Sequence, residues 1–246
     1  MSPQDNRPIV IFAPGAWNAG SIYDDFRELL SRRGILSVAV DHPSNGAEPP
    51  TKGLGDDVQH LRQVLTDYAN QGKRIVLVGH SYGGMVISGA AASMGFEQRA
   101  EAGKPGGVIL LVYMAAFVVS NGKSLKDIIG GQLLPWMLVE NSYIRLDPTA
   151  NLLPDIPKEM QAKLAKDMHP HISFPAFLET ATEEPWHTIP SVYIVCDNDQ
   201  ALPPAVQDSM IELLPNPRVF RLPSGHTHFL SLPNQTADIL EVLVPN

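Results

Sequence analysis

The chain of 246 residues carries 18 Lys and Arg against 26 Asp and Glu, a formal charge of −8 with histidine neutral. Hydrophobic residues at 44% and charged residues at 18% exclude the low-hydrophobicity, high-charge composition of disordered chains, and the length suits one large domain or two small ones. A negative chain without basic clusters has no electrostatic reason to bind nucleic acid or an anionic membrane surface, so neither is an expected partner.

Along the chain, short apolar runs alternate with helical periodicity, the pattern of a mostly parallel sheet covered by helices on both faces. Residues 9–13 form the first predicted strand, and residues 22–33 a helix with Ile22, Phe26, Leu29 and Leu30 on one face. A strand over 35–40, a Pro- and Gly-rich loop over 41–55 and a helix over 56–70 follow. Residues 74–79 read as a buried strand, residues 82–94 as a small-residue helix and residues 108–114 as the next strand.

From 120 to 190 the alternation stops. Seven prolines between Pro135 and Pro185 divide this stretch into short helices, of which 158–168 is the clearest, and it reads as an insertion. Strands resume at 191–196 and 218–222, with a helix between them and a last helix over 235–243. The expected organisation is a single domain over 1–246 with its core in 1–119 and 191–246.

Cys196 is the one cysteine, which leaves no intramolecular disulfide and suits a reducing compartment. The opening residues 1–8 lack the basic start and apolar centre of a secretory signal, and the longest apolar run, 108–119, is too short to span a bilayer. The expected location is the cytoplasm, and no membrane partner is expected.

Gly79-His80-Ser81-Tyr82-Gly83 fits G-x-S-x-G directly between a predicted strand and a predicted helix. The serine must sit on a turn too tight for flanking side chains, and Gly79 and Gly83 remove them. Serine needs a base held by an acid, and the order expected for this arrangement is nucleophile, acid, base. Asp199 and Asp197 both follow the strand 191–196, with Asp199 preferred for its place in the loop. His226 follows the last strand and is the expected base, with His228 as runner-up. Main-chain NH groups of Ala16 and Tyr82 are the expected oxyanion donors. His226 with His228 and His169 with His171 resemble metal pairs, but neither has a third ligand at local spacing, so no metal and no other cofactor is expected.

These motifs resemble the α/β-hydrolase superfamily over nearly the whole chain, and most closely its small cofactor-free esterases that include plant methylesterases and hydroxynitrile lyases. The carrying segments are Ala13-Pro14-Gly15-Ala16-Trp17, the stretch from Val78 to Met85, the stretch from Tyr193 to Pro204, and Ser224-Gly225-His226. The resemblance implies a Ser81, Asp199, His226 triad, Ala16 and Tyr82 as oxyanion donors, and residues 120–190 as a helical cap over the pocket. Two positions depart from it: Pro14 stands where relatives carry the histidine of His-Gly, and Ala115 where some carry an aspartate.

Within the cap, Leu133, Leu134, Trp136, Met137, Phe174, Phe177 and Trp186 are apolar candidates for pocket lining or cap core. Trp17, Trp136, Phe174 and Trp186 are taken as substrate contacts. The expected function is a serine hydrolase cleaving a small to medium hydrophobic carboxylic ester or lactone, its partner a small-molecule substrate. A hydroxynitrile lyase is the enzymatic alternative, although relatives with that activity carry threonine at the position of Gly15 and lysine at that of Thr227. A non-catalytic ligand receptor is the alternative from outside enzymes.

Overall fold

The computed structural model describes residues 7–244; residues 1–6, part of the amino-terminal stretch read above, and residues 245–246 lie outside it. The strands in chain order are β1 Ile9–Ala13, β2 Leu36–Ala39, β3 Arg74–His80, β4 Gly107–Met114, β5 Met137–Glu140, β6 Tyr143–Leu146, β7 Ile172–Ser173, β8 Ser191–Cys196 and β9 Arg218–Leu222. Six of them form one parallel sheet in the order β2-β1-β3-β4-β8-β9, as the alternating pattern predicts.

Both faces of this sheet are covered, which is why its inner strands read as unbroken apolar runs. Successive side chains on β1 point to opposite faces. Ile9, Ile11 and Ala13 join the core under the helices Leu54–Asn70 and Gly83–Ala91, whereas Val10 and Phe12 join the core under Asp24–Arg32 and Pro233–Leu243. The small residues of Gly83–Ala91 let that helix lie close to its neighbours: a Cβ at Gly89 would come 2.6 Å from a Val58 methyl.

Residues between β4 and β8 form the insertion, and here the expectation of a helical cap needs correction. The helix Lys158–Asp167 is present, with short helices at Leu125–Ile128 and Pro175–Leu178, but β5, β6 and β7 add a three-stranded antiparallel sheet. The β5–β6 hairpin pairs Glu140 with Tyr143 across Asn141 and Ser142. Those two residues have φ of 47° and 69°, the left-handed pair that a two-residue hairpin turn requires. Among the described residues no helix is long and apolar enough to cross a membrane.

The loops that leave the carboxyl ends of β1, β3, β8 and β9 meet at one edge of the sheet beneath the insertion. This is where open parallel sheets place their ligand sites.

Candidate active site

Ser81 follows β3 with φ of 54°, a left-handed conformation that costs a serine free energy and persists only where its surroundings enforce it. They do so here by close packing of backbone. A Cβ on Gly79 would stand 2.6 Å from the Gly83 carbonyl oxygen, and one on Gly83 would collide with the Ala13 carbonyl. The turn is fastened by Gly84 NH donating to Ser81 O at 3.0 Å and by Phe117 NH donating to the same oxygen at 3.0 Å. The helix Gly83–Ala91 then starts two residues on, with its positive end toward the serine.

His226 and Asp199 come together as expected. His226 Nδ1 donates to Asp199 Oδ2 at 2.7 Å. The carboxylate is buried and held by three further donors: the amides of Ala201 and Leu202, each at 2.8 Å to Oδ1, and Gln207 Nε2 at 3.2 Å to Oδ2. Gln207 is itself fully buried and tied to the Cys196 backbone. With Asp199 fixing the proton on Nδ1, the His226 Nε2 lone pair is the one available as base. Among the described residues the His226 ring has no other hydrogen-bond partner.

Asp197, the alternative acid, points elsewhere. It pairs with Arg221 at 2.7 Å on the exposed side of the sheet. His228, the alternative base, is fully buried with Nδ1 bonded to Thr236 Oγ1 at 2.9 Å. Burial, reinforced by neighbouring His226, pushes its pKa down to about 3, so it stays neutral.

His80, inside the motif, is buried beside His226, with ring centroids 4.6 Å apart. Its Nε2 donates to the His226 carbonyl at 2.9 Å. Burial, followed by the charge of His226, holds the His80 pKa well below the ordinary histidine value. His80 therefore braces the backbone of His226 as a neutral donor.

Ala16 and Tyr82 lie in the loops after β1 and β3 and line the same cavity as Ser81. A Cβ added to Gly15 would be 3.1 Å from Ser81 Cβ, which measures how closely the first loop passes Ser81. Among the described residues neither the Ala16 nor the Tyr82 amide is spent on a protein acceptor. Tyr82 is anchored by its hydroxyl, which donates to Asp57 Oδ2 at 2.6 Å. Asp57 is fully buried and also accepts from Ser44 NH at 2.8 Å and Ser44 Oγ at 2.6 Å. Burial and the adjacent Asp57 carboxylate raise the Tyr82 pKa well above 10, keeping the phenol protonated as a donor.

Ser81, His226, Ala16 and Tyr82 open onto one cavity of about 480 Å³ roofed by the insertion. Trp17 and Trp136 line it, edge to face with centroids 5.9 Å apart, and Phe177 closes the row against both Trp17 and Tyr82. Phe174 and Trp186 do not line it, which corrects their assignment as substrate contacts. Phe174 is pinned by its NH to Ser142 O and caps the short helix Pro175–Leu178. Trp186 is buried in the core against the helix Gly83–Ala91. Sequence reasoning missed Asn45, Asp57, Gln207 and the cavity-lining Gln161, and weighed the cavity-lining His169 only as half of a metal pair.

Among the described residues no group of three or more His, Cys, Asp or Glu side chains is placed to hold a metal ion. His169 and His171 separate: His169 lines the cavity, while buried His171 donates from Nε2 to Ala47 O at 3.0 Å.

The alpha/beta hydrolase family model matches residues 10–239. The alpha/beta hydrolase nvfD of Aspergillus novofumigatus is 30% identical over 93% of each chain. The carbendazim hydrolyzing esterase of a Nocardioides species is 28% identical over 95% of this chain and 98% of its own. The crystal structure of polyneuridine aldehyde esterase, 20% identical, superposes with a TM-score of 0.78 over 97% of this chain and 99% of that one, and so shares the fold. From its matched length and its sheet, the chain belongs to the alpha/beta hydrolase family.

Proposed function

We propose that the chain is a carboxylic ester hydrolase that acts through an acyl-enzyme on Ser81. The observation that carries this reading is the Asp199–His226 hydrogen bond at 2.7 Å, with His226 opening onto the same cavity as the strained Ser81. The relatives named as esterases and hydrolases support the reaction class.

In the first step His226 Nε2 takes the Ser81 Oγ proton as Oγ attacks the ester carbonyl carbon. The carbonyl oxygen becomes an oxyanion between the Ala16 and Tyr82 amides, where fixed dipoles need no reorganisation. Asp199 stabilises the imidazolium. Collapse breaks the bond to the alcohol oxygen, which leaves with the proton from Nε2. Water then gives a proton to Nε2, attacks the acyl carbon, and the second collapse returns the proton to Ser81.

The lining is mainly apolar and carries no Lys or Arg, so a neutral hydrophobic ester or lactone suits it better than a substrate with a second anionic group. Hydrolysis of p-nitrophenyl acetate, butyrate and octanoate by the wild type and by folded Ser81→Ala is the direct test. The expected result is turnover in the wild type, lost on the order of 10⁶-fold in the variant by analogy with serine proteases. Turnover retained in Ser81→Ala would overturn the acyl-enzyme. Cyanide release from a cyanohydrin, without ester turnover, would select the lyase chemistry instead.

A further inference from the structure

The geometry points to Asn45 as the positioning residue of the oxyanion hole, an inference that rests on the serine hydrolase reading above. The Ala16 NH belongs to the same planar trans peptide as the Gly15 carbonyl, so the two point in opposite directions and fixing one fixes the other. Asn45 Nδ2 donates to Gly15 O at 3.4 Å, alongside Asn18 NH at 3.3 Å. The next peptide is held as well: Asn45 Oδ1 accepts from Trp17 NH at 2.9 Å, while Ala16 O accepts from Asn18 Nδ2 at 3.0 Å. Asn45 Nδ2 also donates to Asn18 O at 2.9 Å. One buried side chain thus grips the peptides on both sides of Ala16.

The loop needs such a grip. Trp17 has φ of 66°, unfavourable for a bulky residue, and local sequence offers no glycine at that position to relieve it. His42 Nε2 adds one further tie, donating to Pro14 O at 3.0 Å. Asn45 in turn is held by the cap: it bridges to Ile172, Ser173 NH donates to Ser44 O at 3.0 Å, and Gly46 NH donates to His171 O at 2.9 Å. The aim of the Ala16 amide is therefore set from β7 through Asn45, with no contact between Asn45 and the reacting atoms.

A donor left in place but misaimed costs less than one removed, for which about 10²- to 10³-fold is usual. Asn45→Ala should therefore slow the acylation chemistry roughly 10- to 100-fold. Asn45→Asp is isosteric and keeps the acceptor for Trp17 NH but loses both donations, so it should fall as far. It serves as the test if Asn45→Ala does not fold.

The readout is single-turnover labelling of Ser81 by an alkyl fluorophosphonate, in which the Ser81 Oγ–P bond forms, the P–F bond breaks, and fluoride leaves as His226 takes the proton. The phosphoryl oxygen occupies the oxyanion site, so no natural substrate is needed. Steady-state kinetics on a p-nitrophenyl ester give the companion measurement. The expected result is a labelling rate and a kcat that fall by the same factor, with KM within about threefold of wild type; a purely structural loss of folded protein would move neither constant per active site titrated. Labelling within threefold of wild type in a folded variant, or a loss carried wholly by KM, overturns the role of Asn45 alone. Failure of the wild type to label at Ser81 overturns the serine reading and this inference together.

Discussion

Asp199 and His226, separated by 27 positions in the chain, are joined by the 2.7 Å bond from Nδ1 to Oδ2, and every other partner of that carboxylate is also a hydrogen-bond donor. The arrangement fixes the imidazole tautomer before substrate arrives. Asp199→Asn presents an amide that donates as well as accepts, which forces the wrong tautomer, and kcat should drop by roughly 10⁴ by analogy with serine proteases. Asp197→Asn removes only an exposed ion pair with Arg221, and should leave kcat within about twofold and stability within about 1 kcal/mol. Steady-state kinetics on the pair of variants checks both.

The tight turn that carries Ser81 makes a second prediction, about stability. Gly79→Ala introduces a Cβ 2.6 Å from the Gly83 carbonyl oxygen and 2.8 Å from its carbon, and backbone on both sides cannot yield as a side-chain tip would. The expected loss is about 1–3 kcal/mol, read as a lowered midpoint in urea or heat. A matched change at Gly122, where φ is positive but no atom lies within 4 Å, should cost less, about 1 kcal/mol from the left-handed conformation alone.

Acid stability follows from the buried histidines. His228 has its pKa lowered by burial to about 3, against about 6.5 in an unfolded chain. Between those values the unfolded chain binds a proton that the folded one refuses, so stability rises with pH in that window and is lost as pH falls. The slope contributed by one such group is about 1.4 kcal/mol per pH unit. His228→Gln should therefore flatten the decline of unfolding free energy between about pH 6 and pH 4 by roughly one proton. Urea melts at several pH values measure that slope, and an unchanged slope would count against His228 being buried and neutral.

How far the sequence reached depends on whether a signal was local. Ser81 was legible because strand, glycines and helix all fall within a few residues of it, and Asp199 and His226 because each follows a predicted strand in the order the arrangement demands. The β5–β6 hairpin was not, because its turn is Asn141-Ser142 and lacks the Asn-Gly pair that marks such a turn, and the four-residue strands are half exposed. Trp136 and Trp186 carry the same chemistry in the same proline-broken stretch. Only tertiary packing sends one to the cavity and the other into the core. Asn45 and Asp57 act through contacts on other loops, so no periodicity in the sequence announces them.

The insertion also grips the loop that carries His226, the base of the proposed mechanism. Asp155, on the insertion, accepts from Gly225 NH at 2.7 Å, and Gly225 precedes His226. A Cβ at Gly225 would collide with that carboxylate, so the glycine is what lets the two approach. Because Asp155 is exposed, the bond is worth less than a buried charged one, about 1 kcal/mol. Its loss in Asp155→Ala frees the loop but leaves the Asp199 bond intact, so kcat should fall by a few-fold rather than by orders of magnitude. Gly225→Ala displaces Asp155 by sterics and should produce a loss at least as large. If the two act through the same contact, the double variant should be no worse than Gly225→Ala alone, a non-additivity that a double-mutant cycle on kcat reads directly.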